Sequence, residues 1–191
     1  MRILITGHNG YIGSVMTSFL QNNGYEIVGL DTDFFEDCRL GNTFANIPSL
    51  CKDIRDVKLD DLEGFDAIVH LAALCNDPLG NLNPELTYNI NHIASVHLAK
   101  MAKEAGIKRF IYSSSCSMYG KSEGDDILTE EAPLNPITPY AVSKVRSEED
   151  ISKLADKDFS PVFLRNATAY GFSPRLRCDV VLNNLVAWAY T

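Results

Sequence analysis

The feature that most constrains this sequence is a set of glycines directly after its first apolar run. Residues 2–6 predict a strand, an amphipathic pattern follows almost at once, and glycines recur at steps of three between them. A strand that turns into a helix on glycines forms an anion site. Backbone N–H groups and the positive end of the helix dipole point at a phosphate there, and no Cβ blocks its approach. The predicted phosphate site comprises Gly7, Gly10, Tyr11, Ile12 and Gly13.

Composition narrows the classes of partner. The 191 residues include 17 Lys and Arg against 25 Asp and Glu, which gives a formal net charge of −8. This balance speaks against a nucleic-acid partner, which requires a basic face, and it offers no polybasic patch for a membrane surface. No apolar run approaches the roughly 18 residues of a membrane span. The length fits one full-sized domain over residues 1–191.

The cysteines indicate the compartment. Five cysteines are scattered along the chain without any CxxC spacing, so we expect reduced thiols and no metal site. The first apolar run begins at Arg2, which leaves no space for a signal peptide. The sequence therefore predicts a cytoplasmic protein.

Strand-like apolar runs alternate with helix-like patterns, which is typical of βαβ units and a parallel sheet. Strands are predicted at residues 2–6, 26–30, 66–71, 108–113 and 161–165, with a weaker one near 49–52. The first helix is predicted from the apolar face of Ile12, Val15, Met16, Phe19 and Leu20 and is stopped by Asn22, Asn23 and Gly24. Further helices are predicted at about 84–105, from a cap near Thr138 to about Ala155, and from about Asp179. Right-handed crossovers then produce an α/β fold with a doubly wound parallel sheet, the Rossmann fold.

An acidic residue at the end of the second predicted strand indicates which dinucleotide is bound. Asp31 lies 18 residues beyond Gly13, close to the roughly 20 typical of the carboxylate that binds the adenosine ribose hydroxyls. A carboxylate there repels a 2′-phosphate, and the segment that follows is also acidic. The pattern favours NAD over NADP, while a carboxylate in this place also serves to cap or solvate a loop.

Two further segments are candidates for the same cofactor. Asp53 and Ile54, beside the weak strand, are placed to meet the adenine, although an Asp in a polar loop is as often simply solvated. Leu71, Ala72 and Ala73 end the fourth predicted strand. Small residues there let the backbone pass close to the pyrophosphate and ribose, and they also serve tight packing between strand and helix.

Tyr140 and Lys144 stand four residues apart on a predicted helix, so both side chains project from one face. A phenol with an ordinary pKa near 10 is a poor base at neutral pH. A neighbouring ammonium favours the phenolate, so we expect Lys144 to pull the pKa of Tyr140 down, towards values useful for general base catalysis. The lysine can also hold a nicotinamide ribose. Taken alone, this spacing is common and is typical of a surface Tyr and Lys.

Serines close the fifth predicted strand at 113–115, on the same edge of the sheet as the glycine turn. Ligands of open α/β sheets bind at that carboxyl edge. A hydroxyl there is placed to hydrogen-bond a substrate hydroxyl or carbonyl. Polar residues that close a strand are otherwise ordinary loop formers.

Taken in order along nearly the whole chain, these motifs resemble the extended short-chain dehydrogenase/reductases. Within them the chain is most similar to the NAD-dependent epimerase/dehydratase family acting on nucleotide sugars, of which UDP-glucose 4-epimerase is the familiar member. The resemblance rests on GHNGYIG at 7–13, Asp31, Asp53-Ile54, HLAA at 70–73, Asn91, SSSCSMYG at 113–120 and YAVSK at 140–144.

The resemblance implies a role for each matching residue. Ser115 corresponds to the catalytic Ser or Thr, Tyr140 to the general acid/base, and Lys144 to the lysine that binds the ribose. Asn91 corresponds to an asparagine that supports the active site, and Asn166 to one that contacts the sugar nucleotide. These residues imply hydride transfer between NAD and a sugar hydroxyl, with Tyr140 moving the proton.

One departure from the family pattern excludes a reaction. The 4,6-dehydratases of the family typically have Thr-Asp-Glu shortly before a Tyr-Gly pair. This chain has Ser115, Cys116 and Ser117 in that place. The missing acids speak against that dehydration. Cys116 is expected to be a small buried thiol rather than an acid or nucleophile. Asn183 fits a substrate contact and a helix-surface amide equally well.

Family members usually continue well beyond the length of this chain, with a small C-terminal domain that grips the nucleotide of the substrate. Residues 166–191 are therefore expected to be the start of the substrate-binding region, and the rest of that domain to be largely missing. The last predicted helix has an apolar stripe (Val181, Leu185 and Trp188) that would need a partner.

Two classes of function stay open at this point. One is an NAD-dependent nucleotide-sugar epimerase or oxidoreductase, for which the family suggests a homodimer built on helices 84–105 and 140–155. The other is a truncated NAD-binding module without turnover, acting as a sensor or interaction domain.

Overall fold

A computed structural model describes residues 1–41, 45–121 and 127–191 and shows a six-stranded sheet in which every pairing is parallel. The spatial order is β3-β2-β1-β4-β5-β6. The order reverses between β1 and β4, which is the crevice where doubly wound folds bind their ligands. The predicted fold class is confirmed, and every strand lies within two residues of its predicted bounds. The strands are β1 (Arg2–Thr6), β2 (Glu26–Asp31), β3 (Ser49–Cys51), β4 (Ala67–His70), β5 (Arg109–Ser115) and β6 (Ser160–Asn166).

The helices differ from the prediction mainly between β4 and β5. The single helix predicted at 84–105 is wrong in detail, because a π-helical stretch, Asn89–Ala94, separates two α-helical pieces. A wider turn of this kind inserts a residue without breaking the apolar stripe, so periodicity does not reveal it. A further short helix precedes them. The helices are α1 (Tyr11–Asn22), α2 (Asp77–Leu82), α3 (Pro84–Tyr88), α4 (Ser95–Glu104), α5 (Pro139–Ser152) and α6 (Val181–Tyr190).

The core lies on both faces of the sheet. Successive residues of β1 point to opposite faces, as a strand requires, so Ile3 and Ile5 join the cluster that packs against Met16 of α1. Leu4 joins the larger cluster on the other face, which contains the fully buried Leu98 of α4. Each such side chain contributes roughly 1.5–3 kcal/mol by leaving water. This packing fixes β1 and β4, whose carboxyl ends form the crevice.

The β6 edge of the sheet is less well covered. Val162 and Leu164 of β6 each keep 43% of their surface exposed. Within the described part of the chain, α6 buries none of its residues, and Trp188 is 76% exposed. The apolar stripe predicted for this helix is therefore present and unpacked. Among the described residues, no helix is long and apolar enough to cross a membrane.

Candidate active site

The glycine turn is built by close backbone packing. Gly7 has φ +72°, and a Cβ added to it would lie 2.8 Å from the backbone nitrogen of Ala72. A Cβ on Gly13 would lie 2.1 Å from the carbonyl oxygen of Gly7. The N–H groups in the first turn of any α-helix have no partner within the helix. Helix α1 begins after Gly10 with no side-chain cap to satisfy them. The turn therefore leaves an uncapped helix N-terminus beside the loop that follows β4.

One cavity of about 920 Å³ lies at this edge of the sheet. The residues that the sequence proposed for the cofactor and the chemistry border it, as does Asn166, whereas Asn183 does not. They come from the glycine turn, the ends of β2, β4, β5 and β6, and the start of α5. Residues far apart in sequence are brought together because all the parallel strands end on this side.

Asp31 ends β2 and holds the glycine turn. Its carboxylate accepts hydrogen bonds from the backbone N–H groups of Asn9 and Asp33, both at 3.1 Å. The carboxylate thus serves the loop and also borders the cavity, so the two roles foreseen for it are compatible.

Asp53 is more fully engaged than Asp31. It caps the short turn Ile54–Asp56 and pairs with the Arg55 guanidinium at 2.7 Å. Hydrogen bonding from Arg55 lowers the pKa of the Asp53 carboxyl. Ile54 is buried in the core cluster while also bordering the cavity. Both residues therefore shape the wall at this point, and the Asp53 carboxylate has a partner of its own.

A buried hydrogen-bonded chain connects the two walls of the crevice. The Ser95 hydroxyl donates to the Asn91 carbonyl at 2.7 Å, so it accepts from His70 Nε2 at 2.8 Å. His70 Nδ1 is then an acceptor and receives the Thr6 hydroxyl at 2.6 Å, while the Ala72 N–H donates to Thr6. Burial, together with the nearby charge of Lys144, lowers the pKa of His70 to about 3. His70 is therefore a neutral linker beneath the site.

Asn91 fastens the loop after β4. The fully buried Asn91 amide accepts from the Leu74 N–H at 2.8 Å and donates to the Leu74 carbonyl at 2.9 Å. Its backbone carbonyl also accepts from the Ser147 hydroxyl of α5 at 2.9 Å. Asn91 lies in the π-helical stretch, so this irregular turn ties α5 to the cavity wall.

Ser115, Tyr140 and Lys144 all border the cavity. Thr138 caps α5 by accepting from the Ala141 N–H at 3.2 Å, which places Tyr140 and Lys144 in the first two turns. The Lys144 ammonium lies 5.6 Å from the centre of the Tyr140 ring and donates to the Ser113 carbonyl at 2.6 Å. The lysine is thus anchored to the end of β5.

The pKa of Tyr140 departs from expectation. Burial raises this pKa above its ordinary value, and the opposing effects of the Lys144 charge and of the Ser115 hydrogen bond do not compensate. Burial likewise lowers the pKa of Lys144. The expected net lowering for Tyr140 is therefore wrong for the chain by itself, although Lys144 acts in the expected direction. The sequence pattern shows the neighbouring charge but not the depth of burial.

Asn166 and Cys116 also border the cavity. Asn166 ends β6 and donates to the Ser113 hydroxyl at 3.1 Å, at the cavity wall. Cys116 is exposed, so the prediction of a buried thiol is wrong. It begins the short turn Cys116–Tyr119 that follows β5, in which Met118 is the residue that points into the core.

Sequence analysis missed the segment between β6 and α6. Arg177 donates to Cys75 Sγ at 3.1 Å and pairs with Asp179 at 2.6 Å, and Asn76 donates to Asp179 at 2.8 Å. Asn183 does not border the cavity. Its amide instead contacts the Tyr11 hydroxyl and the backbone of Gly171 and Arg177, which neither expected role describes. These partners lie up to 172 positions apart, and no local pattern reveals them.

The glycine turn and the crevice between β1 and β4 are typical of the doubly wound α/β class of proteins, whose ligands bind at this edge of the sheet. The profile of the NAD dependent epimerase/dehydratase family matches residues 3–187, and the chain belongs to this family. The resemblance inferred from the motifs is confirmed.

Curated relatives are longer than this chain. The UDP-glucose 4-epimerase of Bacillus subtilis is 31% identical over 203 residues, which cover 98% of this chain and 60% of the relative. An uncharacterized UDP-glucose epimerase of the same organism, YtcB, is 30% identical over 201 residues, covering 97% and 61%. The chain therefore spans about 60% of the length of these relatives.

Solved structures show the same fold. MoeE5 in complex with UDP-glucuronic acid and NAD superposes with a TM-score of 0.83 at 28% identity, covering 97% of this chain and 60% of MoeE5. The UDP-glucuronic acid 4-epimerase from Bacillus cereus in complex with NAD gives 0.80 at 27% identity, covering 99% and 62%.

Proposed function

We propose that this chain is the cofactor-binding part of an NAD-dependent nucleotide-sugar epimerase or oxidoreductase. One observation carries the proposal: Ser115, Tyr140 and Lys144 border the same cavity as the glycine turn and Asp31. The relatives named as UDP-glucose 4-epimerases, and neighbours solved with UDP-sugars, support a nucleotide sugar as the substrate. The net charge of −8 supports a small-molecule substrate over a nucleic acid.

The residues present fit NAD. The uncapped start of α1 suits a pyrophosphate, and a Cβ on Gly7 or Gly13 would lie within 3 Å of backbone atoms and displace the turn. Gly7, Gly10, Tyr11, Ile12 and Gly13 would hold the pyrophosphate. Asp31 would hold the adenosine ribose, while Asp53, Ile54, Leu71, Ala72 and Ala73 would shape the adenine and ribose walls. Bound NAD would supply the hydride acceptor.

Tyr140 would accept the proton of a sugar hydroxyl as hydride leaves the carbon that carries this hydroxyl. The Lys144 ammonium and the Ser115 hydroxyl would stabilise the phenolate and the charge developing on the sugar oxygen. Burial raises the pKa of Tyr140, and these two partners act against that rise. Asn166 would contact the substrate from the end of β6. Return of the hydride to the other face gives an epimer, whereas release of the keto-sugar gives an oxidation.

The proposal extends to the domain organisation, the cellular location and the oligomeric state of the protein. Residues 1–191 would form the NAD-binding domain, with 166–191 as the start of the substrate-binding region. We place the protein in the cytoplasm as a homodimer built on helices 84–105 and 140–155. Exposed apolar side chains on the first of these stretches, Leu86 and Ile93, support a partner there.

A second candidate function is an NAD-binding module without turnover. The exposed apolar side chains of β6 and α6 support it, because they offer a surface on which an interaction domain would bind a protein partner. The two candidates differ in chemistry and not in cofactor binding.

The proposal is tested with NAD and a panel of UDP-sugars. Absorbance at 340 nm follows net oxidation, and proton NMR of the sugar follows epimerisation. We expect turnover that falls by roughly 10²–10⁴-fold in Tyr140→Phe while NAD affinity stays within a few-fold. Tyr25→Phe, which removes an exposed phenol before β2, is the matched control. Near-full turnover in Tyr140→Phe would contradict the assignment, and NAD binding without turnover of any sugar would favour the second candidate.

The role of Lys144 is tested by pH. Its charge lowers the pKa of Tyr140, so Lys144→Met should raise that pKa and move the alkaline rise of kcat to higher pH. A loss of activity with an unchanged pH profile would assign Lys144 to ribose binding alone.

A further inference from the structure

The segment of residues 171–179, here called the crossing segment, joins β6 to α6 and passes beside the cofactor cavity. Arg175, Leu176 and Arg177 border that cavity. Most of the crossing segment is exposed or half-buried, and Phe172 is 76% exposed. Ser173 is only 1% exposed, and Pro174 beside it is also buried. A buried hydroxyl requires a hydrogen-bond partner.

The Ser173 hydroxyl has all its hydrogen-bonding positions filled. It donates to the Tyr11 carbonyl at 2.8 Å. It accepts from the Ser14 hydroxyl at 3.0 Å and from the Arg175 N–H at 3.2 Å. One donor and two acceptor positions are what a serine offers. Ser14, 3% exposed, lies in the first turn of α1, so Ser173 fastens the crossing segment directly to the helix that follows the glycine turn.

Further contacts hold the crossing segment to the two loops that flank the crevice. On the β2 side, the Leu40 N–H donates to the Pro174 carbonyl at 2.7 Å, and the Arg175 guanidinium lies 4.8 Å from the centre of the Phe35 ring.

On the β4 side, the Arg177 guanidinium contacts Cys75, and Asp179 accepts from Asn76. The crossing segment therefore runs from the loop after β2 to the loop after β4, across the crevice assigned to the cofactor.

We propose that Ser173 is a positioning residue that latches the crossing segment across the cofactor cavity, so that NAD exchange requires the Ser14–Ser173–Tyr11 contacts to open. The inference rests on the proposed NAD site. Neither Ser14 nor Ser173 borders the cavity, so both act through the segment and not through the cofactor. Because the crossing segment lies over the cavity, both entry and exit of the cofactor would require the latch to open.

The latch has a consequence for the reaction. When the cofactor leaves slowly, the hydride taken from a sugar carbon remains available to return to that carbon. The sum of the two transfers consumes no oxidant. A closed latch would therefore keep the reduced cofactor in place for the return transfer, as long as the keto-sugar stays bound.

Stopped-flow fluorescence of NADH tests the latch in the 191-residue chain without any sugar. NADH is mixed with protein to measure kon, and bound NADH is displaced by excess NAD to measure koff. We expect Ser173→Ala to raise both rates at least about tenfold, with a smaller change in Kd. Ser14→Ala should raise both rates less, and Ser173→Thr, which keeps the hydroxyl, should restore the wild-type rates. Ser18→Ala, one turn further along α1, is the matched control, with rates within twofold of wild type.

The two rates distinguish a latch from a general loss of structure. Damage to the site would raise koff and lower kon, and that result would overturn the proposal, as would unchanged rates in both Ser173→Ala and Ser14→Ala. Failure of the chain to bind NADH would overturn it together with the proposed function. Normal NADH exchange without turnover of any UDP-sugar would contradict only the catalytic part of the proposed function.

Discussion

The glycine-turn region, formed by β1, α1 and β4, and the edge region, formed by β6 and α6, bury very different amounts of apolar surface. Leu4, Ile5 and Ile68 are completely buried in the first. In the second, Leu164 keeps 43% of its surface exposed and Trp188 keeps 76%. Both regions border the same cavity or the segment beside it, but only the first is held in place by a closed core.

The difference indicates which region of the chain positions its functional groups precisely. The proposed cofactor contacts depend on close backbone packing between Gly7 and Ala72, which the core on both faces of the sheet supports. The substrate contact proposed for Asn166 depends on an edge strand. The crossing segment joins the two regions through polar contacts such as Ser14–Ser173. Cofactor binding should therefore be more robust than substrate binding.

The largest effect that tests this comparison is the loss of NADH affinity expected for Gly13→Ala, with Gly171→Ala as the comparison in the crossing segment. Gly13→Ala places a Cβ 2.1 Å from the Gly7 carbonyl and 2.7 Å from the His8 Cα, so the backbone of the turn must shift. We expect NADH affinity, measured by calorimetry, to fall at least about 100-fold. Gly171→Ala, in the crossing segment, meets no atom within 4 Å and costs only the strain of φ +108°, about 1–3 kcal/mol of stability. Equal losses of NADH affinity would contradict the comparison.

The sequence predicts the glycine-turn region better than the remainder. The turn, Asp31 and the small residues after β4 are local signals, because each needs only a strand end and a neighbouring helix. The Ser173–Ser14 contact joins residues 159 positions apart, and an isolated serine in a polar segment carries no signal of its partner. The burial of a side chain is not predicted from the sequence for the same reason, because it depends on residues far away along the chain. The pKa of Tyr140 and the exposure of Cys116 are two examples.

A smaller effect is expected from a pair of leucines. Leu4→Ala removes a fully buried side chain of β1 and should lower the free energy of unfolding by about 2–5 kcal/mol. Leu185→Ala removes a side chain of α6 that is 59% exposed and should change it by no more than about 0.5 kcal/mol. Urea denaturation measures the free energy of unfolding of both variants. A loss of several kcal/mol in Leu185→Ala would show that α6 packs against a partner in solution, and would make the two regions alike.

The smallest effect is a pH dependence that belongs to the glycine-turn region. Burial lowers the pKa of His70 to about 3 in the folded chain, against an ordinary value of 6.5. Between these values the unfolded chain binds a proton that the folded chain does not, so stability is complete above pH 6.5 and falls as the pH decreases. From pH 7 to pH 5 the loss is about 2 kcal/mol.

Urea denaturation at the two pH values, in wild type and in His70→Gln, measures this contribution. Burial also lowers the pKa of His8, which stays in both proteins, so the difference between their pH dependences isolates His70. We expect the variant to be less stable at pH 7 and to lose less on acidification. An unchanged pH dependence in His70→Gln would mean that the Thr6–His70–Ser95 chain opens before the core does, and that the glycine-turn region is no more firmly closed than the edge.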